Sequence, residues 1–566
     1  MNRHCCWVFG FLFVAACSSG GGGGVGSGTG GSGSGGSPTG SGGSPTGSGG
    51  AAPSDTGGDA MAEPDGASVG TGGAGSGGSD AGAGTGGAVM PPPSQSVTQR
   101  GGDVARTGHF IRPMLTKARA ATMTTDAGFV TSYRGTLTGT PLYLENGPGG
   151  KGAFFVATQA NMVYAFDETT GKELWNKSAG TPTAGGCDNM PKGIMGTPAI
   201  DPVSRTIFVS AATGGAVFQF KIHAYNVDDG TERAGWPVDI GPAIGLTGPI
   251  LSRHNQRGSL LLVNGILYVP LGGQFSDCSN ARGRVVAINI ADPTKIGTWA
   301  TSDDGGSIWA PGGMASDGTG IFAVTGNHFP NLSAPDTHGD SEEVVRLTGM
   351  AQVMRNDANV FYPKRWEAMD IADLDFGANS PLVMDVPGGT PARLIAASPK
   401  DGHLYFLDPN NLGGMGGEKF DLVIATQGMS LVAAAPASYV TDKGAYIVMA
   451  TQGGHCPPGG PTGSVVIGVS VPVVAGAIAP TVAWCASGSG GTFAATSPVV
   501  TTTDGKKDAV VWYISGGTLK GVDGDTGAQV FSGGACQVER WTSPIVAKGA
   551  RIVAGGNGKL CSWSAM

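Results

Sequence analysis

Thiols and imidazoles are the side chains here whose chemistry is easiest to test by spacing. Six cysteines follow the N-terminal region: Cys187, Cys278, Cys456, Cys485, Cys536 and Cys561. None has a histidine and an amide partner in a recognisable local motif, so nucleophilic thiol catalysis is disfavoured. In an exported protein they are expected to oxidise, giving up to three bridges whose fifteen pairings stay open. No Cys-x-x-Cys-His occurs, which excludes a covalent haem. His328 and His338 stand ten apart beside Asp336 and Asp340, a looser cluster than a metal site requires. Other groups have ordinary local readings. Asp373-Leu374-Asp375 has the form of loop-capping acids at a strand start, Asn327 follows Gly326 as in a turn, and Lys400-Asp401-Gly402 has the form of a hairpin turn. Trp309 is equally a core wedge.

The elements that must position these groups begin after a long preamble. Residues 1–16 have a basic start at Arg3, an apolar run from Cys6 to Val14 and small residues before Cys17. The run is too short to span a bilayer and reads as an export signal. From Ser18 to Gln99 the chain is mostly Gly, Ser, Thr, Ala and Pro, with a repeated GSPTGSG unit. Nothing there can bury a core, so residues 17–99 are expected to be a disordered tether with a root-mean-square span of roughly 50 Å. Its glycines lie outside any strand-to-helix context, so no phosphate loop is expected. From Arg100 onward 33 basic residues meet 37 acidic ones. With no basic stripe, nucleic acid is an improbable partner.

Self-similarity organises residues 100–566. Thr140-Pro141 leads into GKGAFFVATQANMVYAFDETTGKELW, with alternating strands over Ala153–Thr158 and Met162–Asp167 and a turn bracketed by Asp167 and Gly171. Small-residue-then-proline starts recur at Thr197-Pro198, Gly248-Pro249, Ala310-Pro311, Ser380-Pro381, Ala435-Pro436, Ser497-Pro498 and Ser543-Pro544. Units of about 40–60 residues with short strands predict an all-β, eight-bladed propeller of four-stranded antiparallel blades. After Pro544 the chain holds residues for only three strands. The stretch His109–Tyr133, with the extended-looking Phe110-Ile111-Arg112-Pro113, is expected to add the fourth and clasp the ring.

The segment VYAFDETTGKELW resembles the blade repeat of pyrroloquinoline-quinone (PQQ) type propellers, and the likeness extends over residues 100–566. It implies that a tryptophan such as Trp175 docks each blade on its neighbour. The family includes quinoprotein dehydrogenases, which use PQQ and calcium, and non-enzymatic scaffolds, among them an outer-membrane lipoprotein that assists β-barrel assembly. Similarity to the quinoprotein alcohol dehydrogenases implies Trp309 as the stacking floor for PQQ and Asn327 as a calcium ligand. It further implies Asp375 or Asp373 as the catalytic base, Asp375 at calcium, and Lys400 at the quinone oxygens. The chain departs from that pattern at Gly272-Gly273-Gln274-Phe275, where neutral Gln274 replaces a calcium-binding glutamate and Asp277 is the nearest acid. The adjacent-cysteine disulfide that covers the cofactor in some of these enzymes has no equivalent, since Cys5-Cys6 lies in the leader. Separately, Val14-Ala15-Ala16-Cys17 resembles a lipobox, implying lipidation at Cys17 and anchoring in the cell envelope, with Ser18 pointing to the outer membrane. Two functions follow as expectations. The first is a monomeric, membrane-anchored binding or assembly module for an envelope protein or polymer. The alternative is a PQQ- and calcium-dependent dehydrogenase of alcohols or polyols.

Overall fold

The computed structural model describes residues 94–184, 191–214, 217–273, 281–328, 338–426, 435–488, 496–539 and 541–565. The signal, Cys17 and most of the tether lie outside them, as do Gln274, Asp277, Cys187, Cys278 and Asp336. Short runs of β-branched and aromatic residues, separated by turn residues, form eight four- or five-stranded sheets of mainly antiparallel strands. The first strands of the blades are Leu142–Leu144, Ala199–Asp201, Leu261–Val263, Ala315–Ser316, Leu382–Asp385, Ala437–Thr441, Val499–Thr502 and Ile545–Ala547. In blade 1, Ala153–Ala157 is wholly buried between Leu142–Leu144 and Met162–Asp167, while the fourth strand, Glu173–Ser178, is mostly exposed. Several first strands abut that of the next blade: Ala199–Asp201 meets Leu261–Val263, Ala315–Ser316 meets Leu382–Asp385, and Ala437–Thr441 meets both Leu382–Asp385 and Val499–Thr502. The architecture is the eight-bladed propeller that the repeat predicts. Blade 4 departs from four strands by adding Gly414–Met415 in parallel on Val360–Tyr362.

Six of the eight proline-marked starts lead directly into a first strand, and their small or hydroxyl residues have a shared task. Thr140 N–H donates to Thr197 Oγ1 (2.9 Å), Gly312 N–H to Ser380 Oγ (2.6 Å) and Ala435 N–H to Ser497 Oγ (2.9 Å), while Thr140 Oγ1 meets Ser543 Oγ (3.3 Å). These bonds join neighbouring blades where the ring is narrowest and bulk is least tolerated. One start is corrected. Gly248-Pro249 lies in the helical turn Gly248–Leu251, where proline's missing N–H costs nothing in the first turn. Blade 3 instead begins after Gly258-Ser259, and Ser259 Oγ donates to the Pro311 carbonyl of the next start.

An innermost strand has one edge facing the axis, and its N–H and C=O groups need partners. The segment 97–112 supplies them, meeting the second residue of every first strand in blade order. Val97 pairs with Tyr143, the Thr98 carbonyl accepts from Ile200, and the Gln99 side chain bonds Leu262. The carbonyls of Val104, Ala105, Thr107 and Gly108 accept from Ser316, Val383, Ser438 and Val500. Arg112 then donates to the Val546 carbonyl. Two buried arginines tie the segment across the centre. Arg106 reaches the carbonyls of Met314 and Leu260, and Arg100 reaches Thr140 Oγ1, Ser497 Oγ and the Trp541 carbonyl.

The ring is closed by the N-terminal region, though by a different strand than Phe110 promised. His109–Ile111 runs parallel to Val499–Thr502 of blade 7. Pro113 has no N–H to continue a ladder, and the chain turns through the helix Lys117–Ala120, capped by Thr116. Thr124–Thr125 then pairs with Leu560–Ser564 as the fourth strand of blade 8. Around this seam Phe110, Leu115, Met123, Phe129 and Tyr133 join blades 7, 8 and 1 in one core.

Tryptophan docking recurs between blades. Trp175 Nε1 donates to the Val227 carbonyl (2.8 Å) and Trp484 Nε1 to Gly524 (2.8 Å). Each indole covers a turn glycine, Gly230 or Gly527, at which an added Cβ would lie 2.8 Å from the ring. Two disulfides occur among the described residues: Cys456–Cys485 inside blade 6, and Cys536–Cys561, which joins the end of blade 7 to blade 8. Deleting residues 101–135 removes the axial pairing to blades 4 to 8 and the closing strand. We expect the melting temperature to fall by at least about 10 °C, the consequence of several kcal/mol; an unshifted thermal melt by circular dichroism would refute the closure.

Candidate functional site

In an antiparallel blade, the loop entering the first strand and the loop joining the second to the third strand lie at the same end. Trp309, Asp373, Asp375 and Arg257 occupy entry loops, as does Trp541; Asn327 and Lys400 occupy second-to-third loops. All seven therefore share one face of the disc, which is where binding loops on a rigid scaffold gather. The opposite face carries closing turns such as Asp167–Gly171, where Asp167 Oδ1 accepts from the Thr169 and Thr170 amides, as the repeat predicts.

The helix Trp366–Ala372 ends at Asp373, which takes a left-handed conformation with φ of 56° and turns the chain inward. That turn delivers Asp375, 3 % exposed, beside Lys400 and Gly326-Asn327. The approach is close. A Cβ on Gly326 would stand 2.6 Å from Asp375 Oδ1, and one on Gly377 would stand 2.7 Å from the Gly326 nitrogen. Lys400 Nζ forms ion pairs with Asp375 and with Asp373 (3.0 Å), and it also donates to the Asp373 carbonyl (3.3 Å). The Asn327 N–H donates to Asp375 Oδ1 (3.1 Å). Burial pushes the Asp375 carboxyl up, but Lys400 and this amide more than offset it, leaving it below its usual range. Asp373 is raised by burial and by the neighbouring charge of Asp375. Lys400 loses some affinity for its proton to burial and gains more from the two carboxylates.

The half-buried indole of Trp309 lies beside this cluster, with Lys400 Nζ 5.8 Å from its ring centroid. Arg257 lies over the ring at 4.1 Å and over Trp541 at 5.0 Å, and its Nε donates to the Trp309 carbonyl (3.0 Å). Beneath the site two adjacent acids are wholly buried. Glu342 accepts the Phe376 N–H through Oε2 (2.5 Å), while its Oε1 has no hydrogen-bond partner among the described residues. Burial, then Asp375 and Asp370, push its carboxyl well up. Glu343 bonds Arg355 (2.7 Å), yet burial still raises it to about 8.

Residues drawn from distant positions thus converge: Trp309, Asn327, Asp373, Asp375 and Lys400 form one cluster. The placements of Gln274 and Asp277 lie outside the described residues. His328 and His338 do not assemble a metal site. His328 Nδ1 pairs with Asp370 (2.8 Å) and His338 stacks on Tyr362 at 3.7 Å, and no group of three or more metal-binding side chains occurs among the described residues. Four contributors were not legible as site residues. Trp541 sits two residues before Ser543-Pro544, much as Trp309 sits just before Ala310-Pro311, a parallel that could have flagged it. Arg257 lay hidden because the start of its blade is not at Gly248-Pro249, and Glu342-Glu343 is an acidic pair ahead of an apolar strand.

The described residues do not complete a seat for PQQ and calcium of the kind the resemblance implies. A flat ring on the covered face of Trp309 would have to displace Arg257, and Asp375, the acid that would bind calcium, is already engaged by Lys400.

No family model matches the chain, and no curated protein does. Among solved structures, the quinohemoprotein alcohol dehydrogenase ADHIIG from Pseudomonas putida HK5 is similar with a TM-score of 0.60 and 11% identity, covering 83% of this chain and 80% of that one. The quinohemoprotein alcohol dehydrogenase from Comamonas testosteroni gives 0.55 and 14%, with 83% and 80% covered. A europium-containing methanol dehydrogenase gives 0.55 and 14%, with 82% and 90% covered. At these identities the likeness shows the fold.

The buried acids make a pH prediction. Between about pH 4.3, where an unfolded glutamate titrates, and about 8, where Glu343 does, the folded chain keeps a proton that the unfolded chain has released. Stability therefore falls as pH rises through that window, by up to about 1.4 kcal/mol per pH unit for each such group. Glu342→Gln and Glu343→Gln should flatten the fall in melting temperature between pH 5 and 8; slopes identical to the parent chain would contradict the assignment.

Proposed function

We propose that this chain is an exported, lipid-anchored propeller that works as a monomeric binding or assembly module, meeting an envelope protein or polymer with the face that carries Trp309 and Lys400. The observation that carries the reading is the engagement of the ammonium of Lys400 by both Asp373 and Asp375. With Arg257 seated on Trp309, the cluster forms a charge-compensated recognition surface whose groups are already held in place. Anchoring rests on the sequence around Cys17, with the outer membrane as the proposed location. A Cys17→Ser variant should then move from the membrane fraction to the soluble fraction on cell fractionation, and continued sedimentation with membranes would remove the anchor from the proposal.

A second reading is favoured by one observation, the convergence of Trp309, Asn327, Asp375 and Lys400 from four separate loops. In it the chain is a PQQ- and calcium-dependent dehydrogenase of alcohols or polyols. Trp309 would be the floor, Asn327 and Asp375 the calcium ligands, Asp375 or Asp373 the base, and Lys400 the contact to the quinone. Incubating the purified full chain with PQQ and calcium, then following dye reduction by alcohols, separates the two. The binding-module reading expects no retained cofactor and no turnover. Turnover that disappears in Asp375→Asn would overturn it.

A further inference from the structure

The segment 97–112 is bonded to the ring in the order in which the chain runs. Blade 1 is met by Val97, blade 2 by Thr98, blade 3 by Gln99, blade 4 by Val104, blade 5 by Ala105, blade 6 by Thr107, blade 7 by Gly108–Ile111 and blade 8 by Arg112. Most of these attachments are one or two hydrogen bonds. A blade's own ladders are longer, reaching eight paired residues between Thr206–Thr213 and Gln219–Asn226. The chain enters the disc at Ser94–Ser96, where Glu145, just after the first strand of blade 1, accepts from Ser94 Oγ (3.1 Å) and from the Gln95 N–H (2.6 Å). That point lies on the face opposite the candidate site, since Glu145 follows its first strand whereas the site loops precede theirs. A load arriving there meets attachments of one or two hydrogen bonds each, together with the ties of Arg100 to Thr140, Ser497 and Trp541 and of Arg112 to Gln95, whereas the ladders of a blade are longer.

We infer that residues 97–112 are a peelable plug: a pull on the chain N-terminal to Ser94 strips them from the axis before any blade unfolds, and so removes the tie that Arg100 makes to Trp541 beside the site. The link to the site is direct. Arg100 holds the Trp541 carbonyl (2.7 Å), and the Trp541 ring lies under Arg257, which covers Trp309. Stripping Arg100 away leaves Trp541, and through it Arg257, without that restraint. In the cell the load would come from the proposed anchoring at Cys17, and the inference rests on that reading for its use. The peel itself depends only on the ring.

The test is to stretch the full chain in an optical trap between a handle at its N-terminus and one at its C-terminus. The expected trace has one or more early, low-force extensions totalling less than the roughly 50–60 Å contour of the plug, by the distance the folded plug already spans, before the larger unfolding steps. Arg100→Ala with Arg106→Ala should lower the force of the early event by removing the ties across the centre. A first event with the length of a whole blade, and nothing before it, would overturn the inference. Because the unmodified chain alone distinguishes these two outcomes, failure of the double variant to fold leaves the test decisive. The trap uses no lipid, so a failure of anchoring at Cys17 is read independently by fractionation.

Discussion

Every innermost strand of this ring turns one hydrogen-bonding edge toward the axis, and the molecule depends on how those eight edges are satisfied. Leaving them bare would expose unpaired peptide groups in a narrow space, each worth about 1–3 kcal/mol if buried without a partner. The chain answers with its own N-terminal segment, which meets the second residue of each first strand in turn. Gln99 lends a side-chain amide where the backbone does not reach, and Arg112 does the same for blade 8. The same segment goes on to supply the closing strand Thr124–Thr125, so axial pairing and ring closure are one structural device.

The candidate site is built on the other side of that constraint. Burying Asp375 and the head of Lys400 together is tolerable because each meets the other and because Asn327 contributes an amide; either group alone would cost several kcal/mol. Below them, Glu342 is buried near Asp375 and Asp370 and Glu343 against Arg355, and burial pushes both carboxyls up. The arrangement places polar groups near the axis, where packing alone would favour apolar ones, and gives up stability in doing so. Such a sacrifice marks a site more strongly than any one of its residues does.

Much of this could be read from the residues, for identifiable reasons. Strand alternation and the recurrent small-residue-proline pairs gave away the blades, because a ring imposes the same narrow geometry on every unit. Gly248-Pro249 misled because proline is as welcome in the first turn of a helix as at a strand entry, and the two are locally identical. The stretch His109–Tyr133 does supply the missing strand, at Thr124–Thr125, while its extended Phe110 segment pairs with blade 7 and ends at Pro113. Arg257 and Glu342 carry no local signature, since their importance comes from neighbours fifty-two and thirty-four residues away, and Trp541 has only its place before Ser543-Pro544 to mark it.

By itself the sequence determined the repeat and much of the strand and turn chemistry of the blades, because these follow from local periodicity and residue type, while the ordered set from Trp309 to Lys400 was implied only by resemblance to a family. Tertiary structure alone decided which edge each N-terminal residue satisfies, that Cys456 pairs with Cys485 and Cys536 with Cys561, and that Lys400 is held by both acids while Arg257 covers Trp309. Those outcomes depend on distances across a closed ring, and a closed ring exists only after the last blade has met the first.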